Sequence, residues 1–200
     1  FQEELPNVPP VYGITRPMNT WNPIKINFIH LWFLIQDAYR AEKWIDKLTI
    51  WFKPTGWRPD DVEAKYPVHK IEDPYHFEKY NTLASNNLIA WILVQLSVTL
   101  VFIYHLFSHL GSIEKPQILI YGVFILLNIY AYTELMDRNP KAVWWDVLKA
   151  VVGFSSIYYC GDWFGIGQIY TIMIALYFML SIALTYYFKE VEEPSMAVLA

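Results

Sequence analysis

The histidines are the side chains of this chain best suited to bind a transition metal. His105 and His109 are four residues apart, so a helix would place both rings on one face, as a pair of metal ligands requires. A metal site needs more ligands, and the nearest carboxylate in the sequence belongs to Glu114. Because both histidines lie at the end of a long apolar run, we interpret them as polar residues at a span end and assign no metal ligand.

Other reactive side chains do not form a recognisable catalytic set. Cys160 is the single cysteine, which excludes an intrachain disulfide and a multi-cysteine metal site. Asp37, Glu42 and Asp46 lie four or five residues apart, and a solvated helix face explains them better than acid–base chemistry. The sequence contains no Gly-rich phosphate loop and no G-x-S-x-G motif. The residues alone therefore indicate no catalytic and no cofactor-binding group.

The elements that carry these residues are predicted from the distribution of charge. Only 17% of the residues are charged, against about 25% in a typical soluble domain. Residues 80–113, 116–133 and 163–188 contain no Asp, Glu, Lys or Arg, and about 20 apolar residues suffice to cross a bilayer. Residues 142–160 form a weaker span with Asp146 and Lys149, three residues apart, which can pair on a helix face turned towards other helices.

The sequence thus predicts an all-α integral membrane protein, with an amphipathic N-terminal helical segment followed by about four transmembrane helices. Residues 1–80 are expected to form a cytosolic or interfacial region of loops and an amphipathic helix. Residues 81–200 are expected to form the transmembrane region, with spans at about 88–108, 117–133, 142–160 and 164–188. A count of three spans remains the alternative.

The N-terminal region begins with a clear helix start. Asn22-Pro23 is typical of an N-cap followed by the first helical residue, and the helix is predicted to continue to the mid-40s. Trp51 and Trp57 then follow close to Lys53. Aromatic rings beside cations are typical of the headgroup level of a bilayer, and a soluble helix and turn packed on a partner domain is the alternative.

The positive charges predict the orientation. Ten of the fifteen Lys and Arg precede residue 80, and the positive-inside rule then places the N-terminal region and the C-terminus in the cytoplasm. The membrane is that of the endoplasmic reticulum or the bacterial inner membrane. Membrane lipids are the expected partners, whereas a net charge of −4 without a basic patch argues against nucleic acid. The oligomeric state is not predicted.

Three stretches resemble the C-terminal region of alkylglycerol monooxygenase-like proteins, which belong to the fatty acid hydroxylase and sterol desaturase superfamily. They are VYGITRPMNTWNPIKINFIHLW (11–32), WFKPTGWRPDD (51–61) and MDRNPKA (136–142). The resemblance implies a membrane oxygenase with a di-iron site held by clustered histidines on the cytosolic side. In this family tetrahydrobiopterin supplies electrons, and hydroxylation of the ether-bearing carbon of a glyceryl ether lipid releases an aldehyde.

The histidine motifs of the family lie upstream of the part that this chain resembles, so none of its metal ligands is carried over. The resemblance implies the C-terminal membrane region of a di-iron lipid monooxygenase, with the catalytic domain upstream of Phe1. We hypothesise that Arg16, Asn19 and Trp21, in the most family-like loop, border the substrate entrance; a loop that docks two parts of the protein is the alternative. A non-enzymatic membrane scaffold or interaction subunit of a larger assembly is the rival function, and a transporter is a weaker one.

Overall fold

The computed structural model describes residues 16–68, 70–71, 73 and 75–191. These residues form seven α-helices and no β-strand. The helices are α1 (Pro23–Arg40), α2 (Trp44–Thr49), α3 (Asp60–Lys65), α4 (Asn86–Ser108), α5 (Lys115–Met136), α6 (Ala142–Cys160) and α7 (Gln168–Val191). Helices α4, α5 and the part of α7 from Gln168 to Lys189 are long and apolar enough to cross a membrane. The predicted all-α membrane architecture is confirmed.

The described residues form two compact units. The first comprises the residues up to Thr20 and Lys25–Asn81, and it contains most of α1 with the short helices α2 and α3. The second comprises Trp21–Ile24 and the chain from Thr82 onwards, with the four long helices α4–α7. The predicted cytoplasmic tail after Val191 lies outside the described residues.

An ion pair stabilises the first unit. Asp37 is the buried side chain of α1, and its two carboxylate oxygens accept hydrogen bonds from Arg58 Nε at 2.8 Å and Nη2 at 2.9 Å. Arg58 Nη1 also donates to the Tyr66 carbonyl at 2.8 Å, and the bond to Asp37 raises the pKa of Arg58. Asp37 therefore does not belong to the solvated acidic face that the sequence suggested, because its carboxylate is used to hold the loop after α2.

Helix α1 ends earlier than the sequence predicted. It stops at Arg40 rather than in the mid-40s, because the Glu42 amide donates to the Asp61 carboxylate at 2.7 Å and not to a carbonyl of the preceding turn. The same bond lowers the pKa of Asp61. Lys43 then adopts an extended conformation and α2 starts at Trp44.

The second unit is a bundle in which consecutive long helices pack against one another. Helix α4 packs on α5, α5 on α6, and α6 on α7. The order of the contacts along the chain is antiparallel, since Thr99 and His105 of α4 contact Asn128 and Tyr121 of α5, respectively. The two ends of the bundle therefore carry different parts of the chain: α4 begins at the end where α5 finishes.

The turn between α6 and α7 explains a shift in one predicted boundary. The Asp162 carboxylate accepts hydrogen bonds from the amides of Gly165 at 2.8 Å and Gly167 at 3.1 Å, and both glycines have positive φ. These bonds hold residues 162–167 in a loop, so that α7 begins at Gln168, four residues after the predicted start of the span.

An aromatic core lies between the bundle helices. The Phe178 ring of α7 and the Trp163 indole are fully buried, and they contact the Phe124 ring of α5 with ring centroids 5.5 and 4.7 Å away, respectively. Phe102 of α4 packs edge-on against Phe124 at 5.1 Å. Interlocked rings from three helices and the 162–167 loop fix how the helices are rotated.

Candidate functional site

The bundle encloses a cluster of polar side chains centred on α6. Asp146 and Lys149 form an ion pair and are 1% and 0% exposed, as the sequence predicted for an inward-facing pair. Ser181 Oγ lies 2.9 Å from Asp146 Oδ2, Thr185 Oγ1 donates to the same oxygen at 2.7 Å, and Lys149 Nζ donates to Ser181 Oγ at 2.8 Å. Gln95 Oε1 lies 3.2 Å from Ser181 Oγ. Three helices thus share one charge pair.

A second set of hydrogen bonds continues from this cluster to α5. Asn128 Nδ2 donates to Thr99 Oγ1 at 2.7 Å, and Tyr177 OH donates to Asn128 Oδ1 at 2.9 Å. The Tyr177 ring also lies below Lys149, with Nζ 5.1 Å from the ring centroid. Polar groups of all four long helices are therefore connected, as expected for ionisable residues at membrane depth, which face the bundle interior and pair.

The chemistry open to this polar cluster follows from its burial. Its two charges are opposite and paired, so the cluster carries no net charge, and the ion pair is closed to solvent. Gln95 Nε2 is buried and has no hydrogen-bond partner among the described residues. A closed and nearly satisfied cluster of this kind fixes helix orientation, and it leaves no open position for a substrate.

A second buried carboxylate lies where α5 ends. Glu134 is fully buried, and its Oε1 accepts a hydrogen bond from Asn22 Nδ2 at 2.9 Å. Its Oε2 accepts one from the Asn139 amide. Next to it, the Trp21 amide donates to Asp137 Oδ1 at 2.7 Å. We call Trp21, Asn22, Glu134, Asp137 and Asn139 the motif junction, because it joins the family-like stretches 11–32 and 136–142.

Arg138 extends the motif junction towards α4. Its backbone has a positive φ of 57°, and its Nε and Nη2 both donate to the Leu83 carbonyl, at 3.1 and 2.6 Å. Thr82 Oγ1 donates to the Met136 carbonyl at 2.9 Å, and the Trp21 indole donates to Thr82 Oγ1 at 3.2 Å. The segment before α4 is thereby held at the end of α5.

Removing the Glu134 carboxylate tests how much the motif junction contributes to stability. Glu134→Ala removes an acceptor of the buried Asn22 side-chain amide and of the half-buried Asn139 side-chain amide, and we expect the free energy of unfolding to fall by about 2 kcal/mol. The measurement is SDS-induced unfolding in mixed micelles, followed by tryptophan fluorescence. Glu134→Gln is the matched control: it keeps one acceptor oxygen and should lose less. Equal values for both variants and the wild type would contradict the role given to Glu134.

The structure places the three loop residues singled out in the sequence in different surroundings. Arg16, in the first unit, stacks its guanidinium on the Phe33 ring, with Cζ 3.2 Å from the centroid, and burial lowers its pKa. Asn19 is exposed. Trp21 belongs to the second unit and to the motif junction. Arg16 therefore contacts α1 in the first unit, whereas Trp21 contacts the end of α5 in the second unit.

The two histidines of α4 lie together, as their spacing implies. The rings of His105 and His109 stack with centroids 4.3 Å apart. His105 Nδ1 lies 3.1 Å from Tyr121 OH, which also accepts a hydrogen bond from Trp163 Nε1 at 2.9 Å. No group of three or more His, Cys, Asp or Glu able to hold a metal occurs among the described residues, and His69 is not one of them.

Cys160 borders an apolar groove on the outside of the bundle. The groove has a volume of about 640 Å³ and lies between the start of α5, at Gln117 and Ile120, and the last turns of α6. Cys160 is half-buried there and is not in a disulfide. Several of its lining side chains are exposed and apolar, among them Val151, Phe154 and Tyr158.

Glu134 and Asn22 were not recognised from the sequence as a pair, although each carries a local signal. Asn22 was interpreted as the cap of α1, and its Oδ1 does accept from the Ile24 amide at 3.0 Å. Its second contact, to a residue 112 positions away, has no local signal. For the central cluster a signal existed, because Tyr177, Ser181 and Thr185 recur every four residues and share one face of α7.

Comparison with known proteins finds three relatives named alkylglycerol monooxygenase. Human alkylglycerol monooxygenase is 27% identical over 149 residues, which are 74% of this chain and 34% of that protein. The alkylglycerol monooxygenases of Xenopus tropicalis and Danio rerio are each 20% identical, over 71% of this chain and 32% of theirs. No protein-family model and no solved structure matches significantly. The chain spans about a third of the length of these curated relatives, and the similarity to alkylglycerol monooxygenases that its motifs predicted is confirmed.

Proposed function

We propose that this chain is the C-terminal membrane region of a lipid monooxygenase related to alkylglycerol monooxygenase. The similarity to three proteins of that name over more than two thirds of the chain supports this function, as do the three helices able to cross a membrane. The motif junction is the structural observation that carries the proposal. It uses the family-like residues Trp21, Asn22 and Asp137 to attach the start of α1 to the end of α5.

The proposed role of the motif junction is structural: it attaches the start of α1 to the end of α5 and takes no part in the reaction. Asn22 contributes its side chain to Glu134 and caps α1 with the same amide group. The start of α1 is therefore fixed to the end of α5. In the proposed enzyme this point connects the membrane region to the catalytic domain upstream of Phe1, and the glyceryl ether substrate is held in the membrane beside it.

The metal and the reductant of the proposed enzyme belong to other parts of the protein. The described residues do not fit a di-iron site, since the histidine pair of α4 has no third ligand among them and His105 is engaged with Tyr121. We place the di-iron centre and the tetrahydrobiopterin site in the upstream domain. Together they would supply oxygen activation and electrons for hydroxylating the ether carbon.

The proposed topology has four spans: the three apolar helices α4, α5 and α7, and in addition α6. Helix α6 has 19 residues and packs between α5 and α7, and its two charges are paired in the interior. With four spans, the N-terminal region, the connection between α5 and α6 and the end of α7 lie on one side. That side holds thirteen of the fifteen Lys and Arg, which favours placing it in the cytoplasm. The membrane proposed is that of the endoplasmic reticulum or the bacterial inner membrane.

The experiment that tests the function uses the native protein, purified with its full length from its own membrane. We expect an intact mass well above 23.6 kDa, bound iron, and tetrahydropterin-dependent release of aldehyde from a glyceryl ether lipid. A mature mass of 23.6 kDa without iron or ether cleavage would reject the enzyme. The rival function, a non-enzymatic scaffold subunit, would then apply. The closed polar cluster is also compatible with such a subunit.

Arg16 distinguishes the two hypotheses for the loop before α1. Arg16 stacks on Phe33 of its own unit, and for a docking loop we expect Arg16→Ala to leave the turnover number and the Michaelis constant for the glyceryl ether within about twofold of wild type. Arg16→Lys, which keeps the charge, is the control. A large rise in the Michaelis constant for Arg16→Ala alone would instead place Arg16 at the substrate entrance.

A further inference from the structure

Helix α2 and the 3₁₀ turn that follows it, Ile50–Phe52, expose an unusually apolar surface. Ile50 is buried and holds the segment to the first unit. Phe52 is 89% exposed and Trp44 is 78% exposed. We call the exposed apolar residues of this segment the aromatic face: Trp44, Ile45, Leu48, Trp51 and Phe52.

The aromatic face has the geometry of an amphipathic helix. Successive helical residues are rotated by about 100°, so Trp44, Ile45 and Leu48 point to one side, whereas Asp46 points away from it. Trp51 Nε1 donates to the Lys47 carbonyl at 3.1 Å, which satisfies its polar atom within the segment. The aromatic face therefore presents rings and aliphatic chains, and the indole N–H of Trp51 is already hydrogen-bonded.

Lysines border the aromatic face. Lys47 Nζ donates to the Tyr39 carbonyl at 2.9 Å and lies 5.6 Å from the Trp44 ring. Lys53 Nζ lies 5.2 Å from the Trp57 ring. Between Lys43 and Lys53 the single acidic residue is Asp46, so the segment has a net positive charge. An apolar face edged with lysine matches the boundary between acyl chains and anionic headgroups.

We propose that the aromatic face inserts into the cytoplasmic surface of the bilayer and that the adjoining lysines bind the headgroups of anionic phospholipids. Two features favour lipid over a protein partner. The same chain carries helices that cross a membrane, so a bilayer is close by, and its cytoplasmic leaflet attracts polybasic segments. Trp together with Lys is also the side-chain combination enriched at membrane interfaces. This inference does not depend on the proposed enzymatic activity.

A photo-crosslinking experiment identifies what covers the aromatic face. The benzophenone amino acid p-benzoylphenylalanine replaces Leu48 in the full native protein, which is reconstituted in nanodiscs of phosphatidylcholine with or without phosphatidylglycerol. We expect irradiation to give phospholipid adducts, detected by intact mass, with a yield about fivefold higher when phosphatidylglycerol is present. The matched position is Ala64, which is exposed on α3 of the same unit and should give no lipid adduct.

Charge variants test the lysines separately from the apolar insertion. Lys43→Gln with Lys53→Gln should abolish the gain from phosphatidylglycerol while leaving adducts in phosphatidylcholine. Lys70→Gln, an exposed lysine of the same unit outside the segment, should change neither yield. Crosslinking of position 48 to a peptide of the protein itself or of a partner protein would overturn the proposal. A lack of any lipid adduct at position 48, or equal lipid adducts at positions 48 and 64, would overturn it as well.

Discussion

Replacing Lys149 with methionine is expected to lower the free energy of unfolding of the bundle by about 3–5 kcal/mol. Lys149 is fully buried and paired with Asp146. Its removal leaves a carboxylate without its counter-charge in a medium of low dielectric constant, where Ser181 and Thr185 provide only neutral donors. The loss can be measured by SDS-induced unfolding in mixed micelles.

A double substitution separates the effect of the unpaired charge from that of packing. Asp146→Leu with Lys149→Met removes both charges, and we expect it to be more stable than either single variant, because no uncompensated charge remains. Lys43→Gln, at an exposed position, serves as a control and should change stability by less than about 0.5 kcal/mol. If the double variant is as unstable as the sum of the single variants, the charge pair is not the cause.

The second large effect is expected for Phe178→Ala, with a loss of about 3–5 kcal/mol. The Phe178 ring is fully buried and packs against Phe124, Phe154 and Trp163, with centroid distances of 5.5, 5.4 and 5.7 Å. It also covers Gly153 of α6 so closely that a Cβ there would lie 2.3 Å from Phe178 Cε2. Helices α6 and α7 approach closely because a glycine faces a ring.

The contact between the glycine and the ring predicts strong coupling. Gly153→Ala alone should cost about 1–3 kcal/mol, since the added methyl group displaces a packed ring. In the Phe178→Ala background the same substitution should cost almost nothing, because the space is then empty. Leu176→Ala, at an exposed position of α7, is the control with a small effect. An unchanged cost of Gly153→Ala in both backgrounds would show that the ring and the glycine do not interact.

The parts of the fold that could be predicted are those governed by local composition. Uncharged runs predicted α4, α5 and α7, because burying backbone in lipid requires continuous helix. The three-residue spacing of Asp146 and Lys149 predicted their pairing, since it places both side chains on one helical face. The end of α1 was missed because it depends on the Asp61 carboxylate, nineteen residues after Glu42.

The candidate site was less predictable than the fold, because its contacts join distant positions. Gln95, Asn128 and Ser181 are visible as polar residues within apolar runs. Which of them meet depends on the rotation of each helix, which the aromatic core around Trp163 and Phe178 sets. Similarly, the resemblance drew attention to the stretches 11–32 and 136–142. Only the structure shows that Asn22 and Glu134 bind each other.

The central ion pair also has a consequence for the synthesis of the protein. Asp146 and Lys149 lie in the N-terminal half of α6, and they leave the ribosome before Ser181 and Thr185 of α7 exist. Charges within a helix oppose its insertion by the translocon, by up to about 2.5–3.5 kcal/mol each at the helix centre, so in the proposed four-span topology α6 is a poor substrate for insertion by itself. In the proposed four-span topology, we therefore expect α6 and α7 to enter the bilayer together as a hairpin.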